Sequence, residues 1–85
     1  MDLNINQLKK ELEIIYNNYL INPDDENVKN KAGNLYNKYK DLDPFLKSEI
    51  ATAIRNLVDI AFDTGIKISR EDIIKILDDL KNDIS

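Results

Sequence analysis

Apolar residues recur at three- and four-residue steps along most of the chain, which is the spacing of one helix face. The recurrence is interrupted three times, and the interruptions divide the sequence into four helices, at about 4–20, 23–41, 44–64 and 70–82. In the first, Ile5, Leu8, Leu12, Ile15, Tyr16 and Tyr19 form the apolar face, and Asp2 or Asn4 precedes its start. Ile14 falls off that stripe, so it is an isolated exposed residue or the cover for a further element or partner. The second helix opens at Asn22-Pro23-Asp24-Asp25-Glu26. Asn22 is placed to cap, Pro23 suits the first helical position, and the acids suit the positive end of the dipole. Its apolar face is Val28, Ala32, Leu35, Tyr36, Tyr39 and Leu42.

The third segment carries the broadest apolar face. Asp43 is placed as its N-cap, Pro44 at its first position, and Gly65 where the chain leaves in a left-handed conformation. Between them Leu46, Ile50, Ala51, Ala53, Ile54, Leu57, Val58, Ile60, Ala61 and Phe62 cover more than half of the circumference. A helix this apolar is contacted from two or three sides. Ile66-Lys67-Ile68-Ser69 links it to the fourth helix. There Ser69 and Asp72 resemble a capping box, and Ile68 and Ile73 are spaced as a hydrophobic staple. The inner face is Ile73, Ile76, Leu77 and Leu80, with Ile74 at the margin and Ile84 continuing the pattern. Short links make sequential helices antiparallel neighbours. The expected fold is therefore all-α, a single domain over residues 1–85, built as an antiparallel up-and-down four-helix bundle.

Composition narrows the chemistry. The 85 residues include no cysteine and no histidine. Disulfides and cysteine zinc sites are thereby excluded, along with the commonest general base and metal ligand. Each half of the chain carries six bases and eight acids, so neither is a basic module suited to nucleic acid. No basic leader precedes an apolar core, and no apolar run approaches the roughly 18 residues of a membrane span. A soluble, intracellular protein is expected.

The remaining candidates for chemistry are weak. Asp59 and Asp63 lie one helical turn apart, but Arg55 is a natural ion-pair partner for Asp59. Asp24, Asp25 and Glu26 diverge around a helix and lack the calcium-loop glycine, so they read as first-turn acids. Tyr16, Tyr19, Tyr36 and Tyr39 lie on inner faces of adjacent helices, as core with hydroxyls at the rim or as a pocket lining. Gly33 inside the second helix reads as a tolerated glycine or a close helix approach. No catalytic residue, cofactor, metal or small-molecule substrate is expected.

The order of these features has a precedent. Glu11 to Tyr16-Asn17 in the first helix is followed by Leu35, Tyr36, Lys38 and Tyr39 in the second. Then come the Leu42-Asp43-Pro44 corner, the long apolar third helix, and Ile66-Lys67-Ile68-Ser69 before an acidic-started fourth. Over essentially the whole chain this resembles the immunity proteins of pediocin-like (class IIa) bacteriocins, in particular the enterocin A immunity group. The resemblance implies a cytoplasmic bundle, or one peripheral at the inner face of the membrane, that protects a bacteriocin producer from its own peptide. It implies action on the membrane subunits of the mannose phosphotransferase permease once bacteriocin has engaged them. Members of that family often carry a longer segment after the fourth helix than the few residues here. The C-terminal half carries much of the family's specificity, which directs attention to Ile66, Lys67, Arg70, Lys75, Asp78, Asp79 and Asn82 as a partner surface. The alternative is a small helical interaction module, such as a phage-encoded inhibitor or regulator, with a soluble partner.

Overall fold

Asn4 starts the first helix. Its extended backbone leaves Oδ1 free to accept from the Gln7 N–H at 3.0 Å, which satisfies one of the helix's unpaired donors. The computed structural model describes residues 4–62, 65 and 67–82, with Asp43 described as backbone only. Within them α1 spans Ile5–Ile21, α2 Glu26–Tyr39, α3 Ser48–Arg55, α4 Leu57–Ala61 and α5 Arg70–Asn82, and a 3-10 helix covers Lys40–Phe45. The described residues form an all-helical fold of four packed helical units, the third of which is broken.

The second helix starts later than its proline suggests. Asn22 ends α1 by donating its backbone N–H to Asn18, and its Oδ1 accepts from Asp24 in an Asx turn. The cap of α2 is instead Asp25, whose Oδ1 accepts from the Asn27 N–H at 2.9 Å. An acid at this position stabilises both through the hydrogen bond and through the dipole. Glu26 and Lys29 add an exposed ion pair at 3.8 Å, worth at most about 1 kcal/mol.

The expected helix over 44–64 is corrected in three places. Pro44 lies inside the 3-10 helix, not at the first position of an α-helix. Proline's missing N–H and the restriction on the residue before it block a continuous α-helix there. The chain tightens into 3-10 geometry while half-buried Leu42 and Leu46 hold the corner onto the core. α3 then begins at Ser48, after Lys47 in extended conformation. The expected Asp43 cap concerns a side chain outside the described residues. The segment next breaks at Asn56, which separates α3 from α4. Asn56 N–H donates to Thr52, and Asp59 N–H donates to the Asn56 carbonyl three residues back. Finally α4 ends at Ala61, with Phe62 extended. Gly65 does adopt a positive φ of 81°, but beyond the helix end.

The break explains the broad apolar band. α3 packs on α5, on the 3-10 corner and on α2, while α4 makes its most extensive contact with α2. Ile50, Ala51, Ala53, Ile54, Leu57 and Ile60 are all buried. Two short helices thus direct one wide apolar sequence toward different neighbours. α1 and α5 close the other side with Leu8, Leu12, Tyr16, Ile73, Ile76 and Leu80. Ser69 Oγ caps α5 by accepting from the Asp72 N–H at 3.1 Å, and half-buried Ile68 packs on the core beside buried Ile73. The radius of gyration, 11.9 Å, is what one compact chain of this length gives.

Gly33 marks the close approach of α2 and α4. A Cβ built there meets the Ala61 Cβ at 3.5 Å and the Phe62 ring at 4.0 Å. These are ordinary van der Waals distances, so one methyl group fits and a longer side chain does not. Gly33→Ala is therefore expected to raise stability by about 0.5–1 kcal/mol through helix propensity. Gly33→Leu is expected to lower it by about 1–3 kcal/mol through overpacking, both read from urea unfolding midpoints.

Candidate functional site

The tyrosines are core. Tyr16 is fully buried, Tyr19 and Tyr39 are buried, and half-buried Tyr36 sets its ring edge-on to Phe62 with centroids 6.3 Å apart. Tyr16 on α1 donates its hydroxyl to the Ala53 carbonyl on α3, in the turn before the Asn56 break. Burial pushes the Tyr16 phenol well above its ordinary value near 10, and the negative Asp59 adds to the shift. A buried neutral phenol that donates to a carbonyl is a structural group, not a general base. Asp59 itself is half-buried, and the expected carboxylate pair cannot be placed because Asp63 lies outside the described residues.

The expected partner surface divides between two grooves. Lys67 and Arg70 are exposed and line a groove of about 420 Å³ with Tyr19, Pro23, Asp24 and Ile68, where the start of α5 meets the α1–α2 corner. Lys75 and half-buried Asp79 line a second groove, of about 350 Å³, between α3 and α5. Glu49, Thr52 and Asp72 share it, so one lysine faces three acids. Asp78 and Asn82 are exposed on α5 and line neither groove; Ile66 lies outside the described residues.

A third groove was not foreseen. It runs between α1 and α2, with a volume of about 370 Å³, and is lined by Glu11, Ile14 and Ile15 on one side and Lys31, Asn34, Leu35 and Lys38 on the other. Ile14 is 53% exposed on its wall. Of its residues only Ile14, off the main stripe, stood out in the sequence; the seven-residue spacing of Lys31 and Lys38 around Leu35 was the other available signal. Lys38 Nζ also stands 5.3 Å from the Tyr39 ring centroid, over its face, a favourable cation–π placement.

Among the described residues no group of three or more acidic side chains converges as a metal position, and no helix is long and apolar enough to cross a membrane. The arrangement offers grooves with charged rims, which suit macromolecular contact. Comparison of the chain with protein-family models, with curated proteins and with solved structures found no match.

The Tyr16 linkage has a definite sign. Its folded pKa lies above the unfolded value near 10, so its contribution to stability is complete below pH 10 and declines as pH rises beyond it. Tyr16→Phe is expected to cost about 1–2 kcal/mol at neutral pH, by leaving the Ala53 carbonyl unpaired. Urea unfolding followed from neutral to alkaline pH should show a smaller loss of stability above pH 10 in Tyr16→Phe than in the wild type.

Proposed function

We propose that this chain is a bacteriocin immunity protein rather than an enzyme. It protects its producer by acting from the cytosol, or peripherally at the inner face of the membrane, on mannose phosphotransferase permease subunits that a pediocin-like bacteriocin has engaged. The reading takes the helices as an antiparallel up-and-down bundle. The single observation that carries it is the order of sequence features: amphipathic first helix, acidic-capped second, Leu42-Asp43-Pro44 corner, apolar third segment, Ile66-Lys67-Ile68-Ser69 link and acidic-started fourth helix. The all-helical packing of the described residues is compatible with that order. In this reading the partner surface is Ile66, Lys67, Arg70, Lys75, Asp78, Asp79 and Asn82. Five of them, Lys67, Arg70, Lys75, Asp78 and Asn82, are exposed, which a contact surface requires.

A second reading is favoured by the α1–α2 groove. Its apolar floor and basic rim lie away from the fourth helix and suit a soluble protein partner. The chain would then be a small interaction module, an inhibitor or regulator.

Expression in a bacteriocin-sensitive strain distinguishes the two. The first reading expects a raised minimum inhibitory concentration for at least one pediocin-like peptide, reduced by the double change Lys67→Glu and Arg70→Glu. It also expects permease subunits to be recovered with the tagged chain after bacteriocin treatment. Sensitivity unchanged across a panel of such peptides overturns it, and recovery of a soluble partner without permease subunits supports the second.

A further inference from the structure

The α1–α2 groove presents exposed apolar surface beside positive charge. Buried Ile15 and Leu35 form its floor, with Ile14 standing exposed above it. Lys31 and Lys38 line the α2 wall, and both are exposed. Seven residues are nearly two helical turns, so the two side chains leave α2 on one face, about 10.5 Å apart along the axis. Neither lysine has an ion-pair partner among the described residues. Glu11 on the α1 wall offsets them little. It is half-buried, with Oε2 closed off from solvent and Oε1 3.5 Å from Gln7 Nε2.

α5 carries the complementary pattern on its outer side. Ile74 is 50% exposed, which leaves half of its surface to be covered. Glu71 lies three residues before it and Asp78 four residues after it, and both are exposed. The two acids are also seven residues apart, so they repeat the axial spacing of the two lysines. At about 100° per residue the three side chains fall within about 60° of one another, away from the buried Ile73, Ile76 and Leu80. Among the large apolar residues that the described chain exposes, only Ile74 lies inside a helix with an acid one turn to either side.

We propose that the groove docks the outer face of α5 from a second copy of this chain. Ile74 covers Ile14 and the floor, while Glu71 and Asp78 meet Lys31 and Lys38. Lys81 lies on the far side of Ile74 from the two acids. The direction of docking that sets the acids over α2 therefore turns Lys81 toward the α1 wall and Glu11. Each copy has a net charge of −4, but physiological salt screens that repulsion beyond about 8 Å, so the facing pairs decide. Groove and helix are different surfaces, so the contact is heterologous. Every copy carries both halves, and association passes beyond a dimer unless a ring closes. The inference rests on neither functional reading.

Sedimentation velocity of the full chain from about 20 µM to about 1 mM tests it, a range suited to a small, transient interface. The weight-average sedimentation coefficient is expected to rise with concentration. One double variant, Lys31→Glu with Lys38→Glu, sets acid against acid; another, Glu71→Lys with Asp78→Lys, sets base against base. Each alone should associate at least about tenfold more weakly. Mixed in equal amounts, the two should recover association, because every contact between unlike copies again joins opposite charges. Net attraction does not account for that recovery, since reversing two acids leaves the second variant without net charge. Ile14→Asn and Ile74→Asn should each weaken association about fivefold or more at unchanged charge. All six positions are exposed, and unchanged far-UV circular dichroism checks each variant. A chain that stays monomeric at about 1 mM overturns the proposal and leaves the groove to a foreign acidic helix. Association that survives both double variants overturns it by placing the contact on another face. Failure of the two variants to combine when mixed overturns it equally.

Discussion

The hydrogen bond from the Tyr16 hydroxyl to the Ala53 carbonyl joins α1 to α3 in the turn before the break at Asn56. A helix broken at Asn56 leaves carbonyls near the break without the donors a continuous ladder would supply. Ala53 is buried, as are its neighbours Ile54 and Leu57, so water is a poor substitute. The phenol of a fully buried tyrosine on α1 reaches across the core and supplies the donor. That single contact ties α1 to the end of α3 and makes the break tolerable in an apolar setting. With the break in place, α4 is free to lie on α2 while α3 lies on α5. One polar bond therefore satisfies a buried carbonyl at the point where the apolar sequence between Leu46 and Phe62 changes direction.

Helix existence was legible from period and composition; helix continuity was not. α1 and α5 have polar caps at their starts, Asn4 and Ser69, and their bounds follow from them. For α2 the sequence pointed to Asn22 as the cap, with Pro23 at the first helical position and Asp25 among the first-turn acids. The structure uses Asn22 to finish α1 and Asp25 to start α2, a division of labour that local preference alone does not decide. The third segment was read as one helix because apolar residues continue through Asn56, an ordinary poor helix former that does not by itself announce a stop. The break is a tertiary choice, set by the demand to bury opposite faces against α2 and α5, and single-segment periodicity carries no record of it. Gly33 shows the reverse case. Its cost in a helix was visible, and the structure adds that a methyl group there would make ordinary contact with Ala61 at 3.5 Å, so the packing admits alanine.

The surface was less legible than the core, for a physical reason. Exposed charge is the normal state of a helix exterior, so a list of outward residues on one helix contains no information about which neighbours complete a groove. The residues from Lys67 to Asn82 were singled out together, yet the fold sends Lys67 and Arg70 to the α1–α2 corner and Lys75 and Asp79 to the face of α3. Conversely, Glu11, Lys31 and Lys38 looked unremarkable in separate helices and become one groove only when α1 and α2 are side by side.

Charge shows the same effect. The two halves of the chain have identical acid and base counts, and bases alternate with acids along the first helix. On that evidence no region favours a charged partner. The fold nevertheless sorts the groups: two lysines and a single glutamate around the α1–α2 groove, and one lysine among Glu49, Asp72 and Asp79 between α3 and α5. Within a Debye length of about 8 Å at physiological salt, a docking segment responds to the groove it enters and not to the net charge of −4. The two grooves therefore differ in local charge. The α3–α4 unit buries Ile50, Ala51, Ala53, Ile54, Leu57 and Ile60 and turns Glu49 and Thr52 to the second groove. The Tyr16–Ala53 bond joins α1, which walls the first groove, to α3, which walls the second.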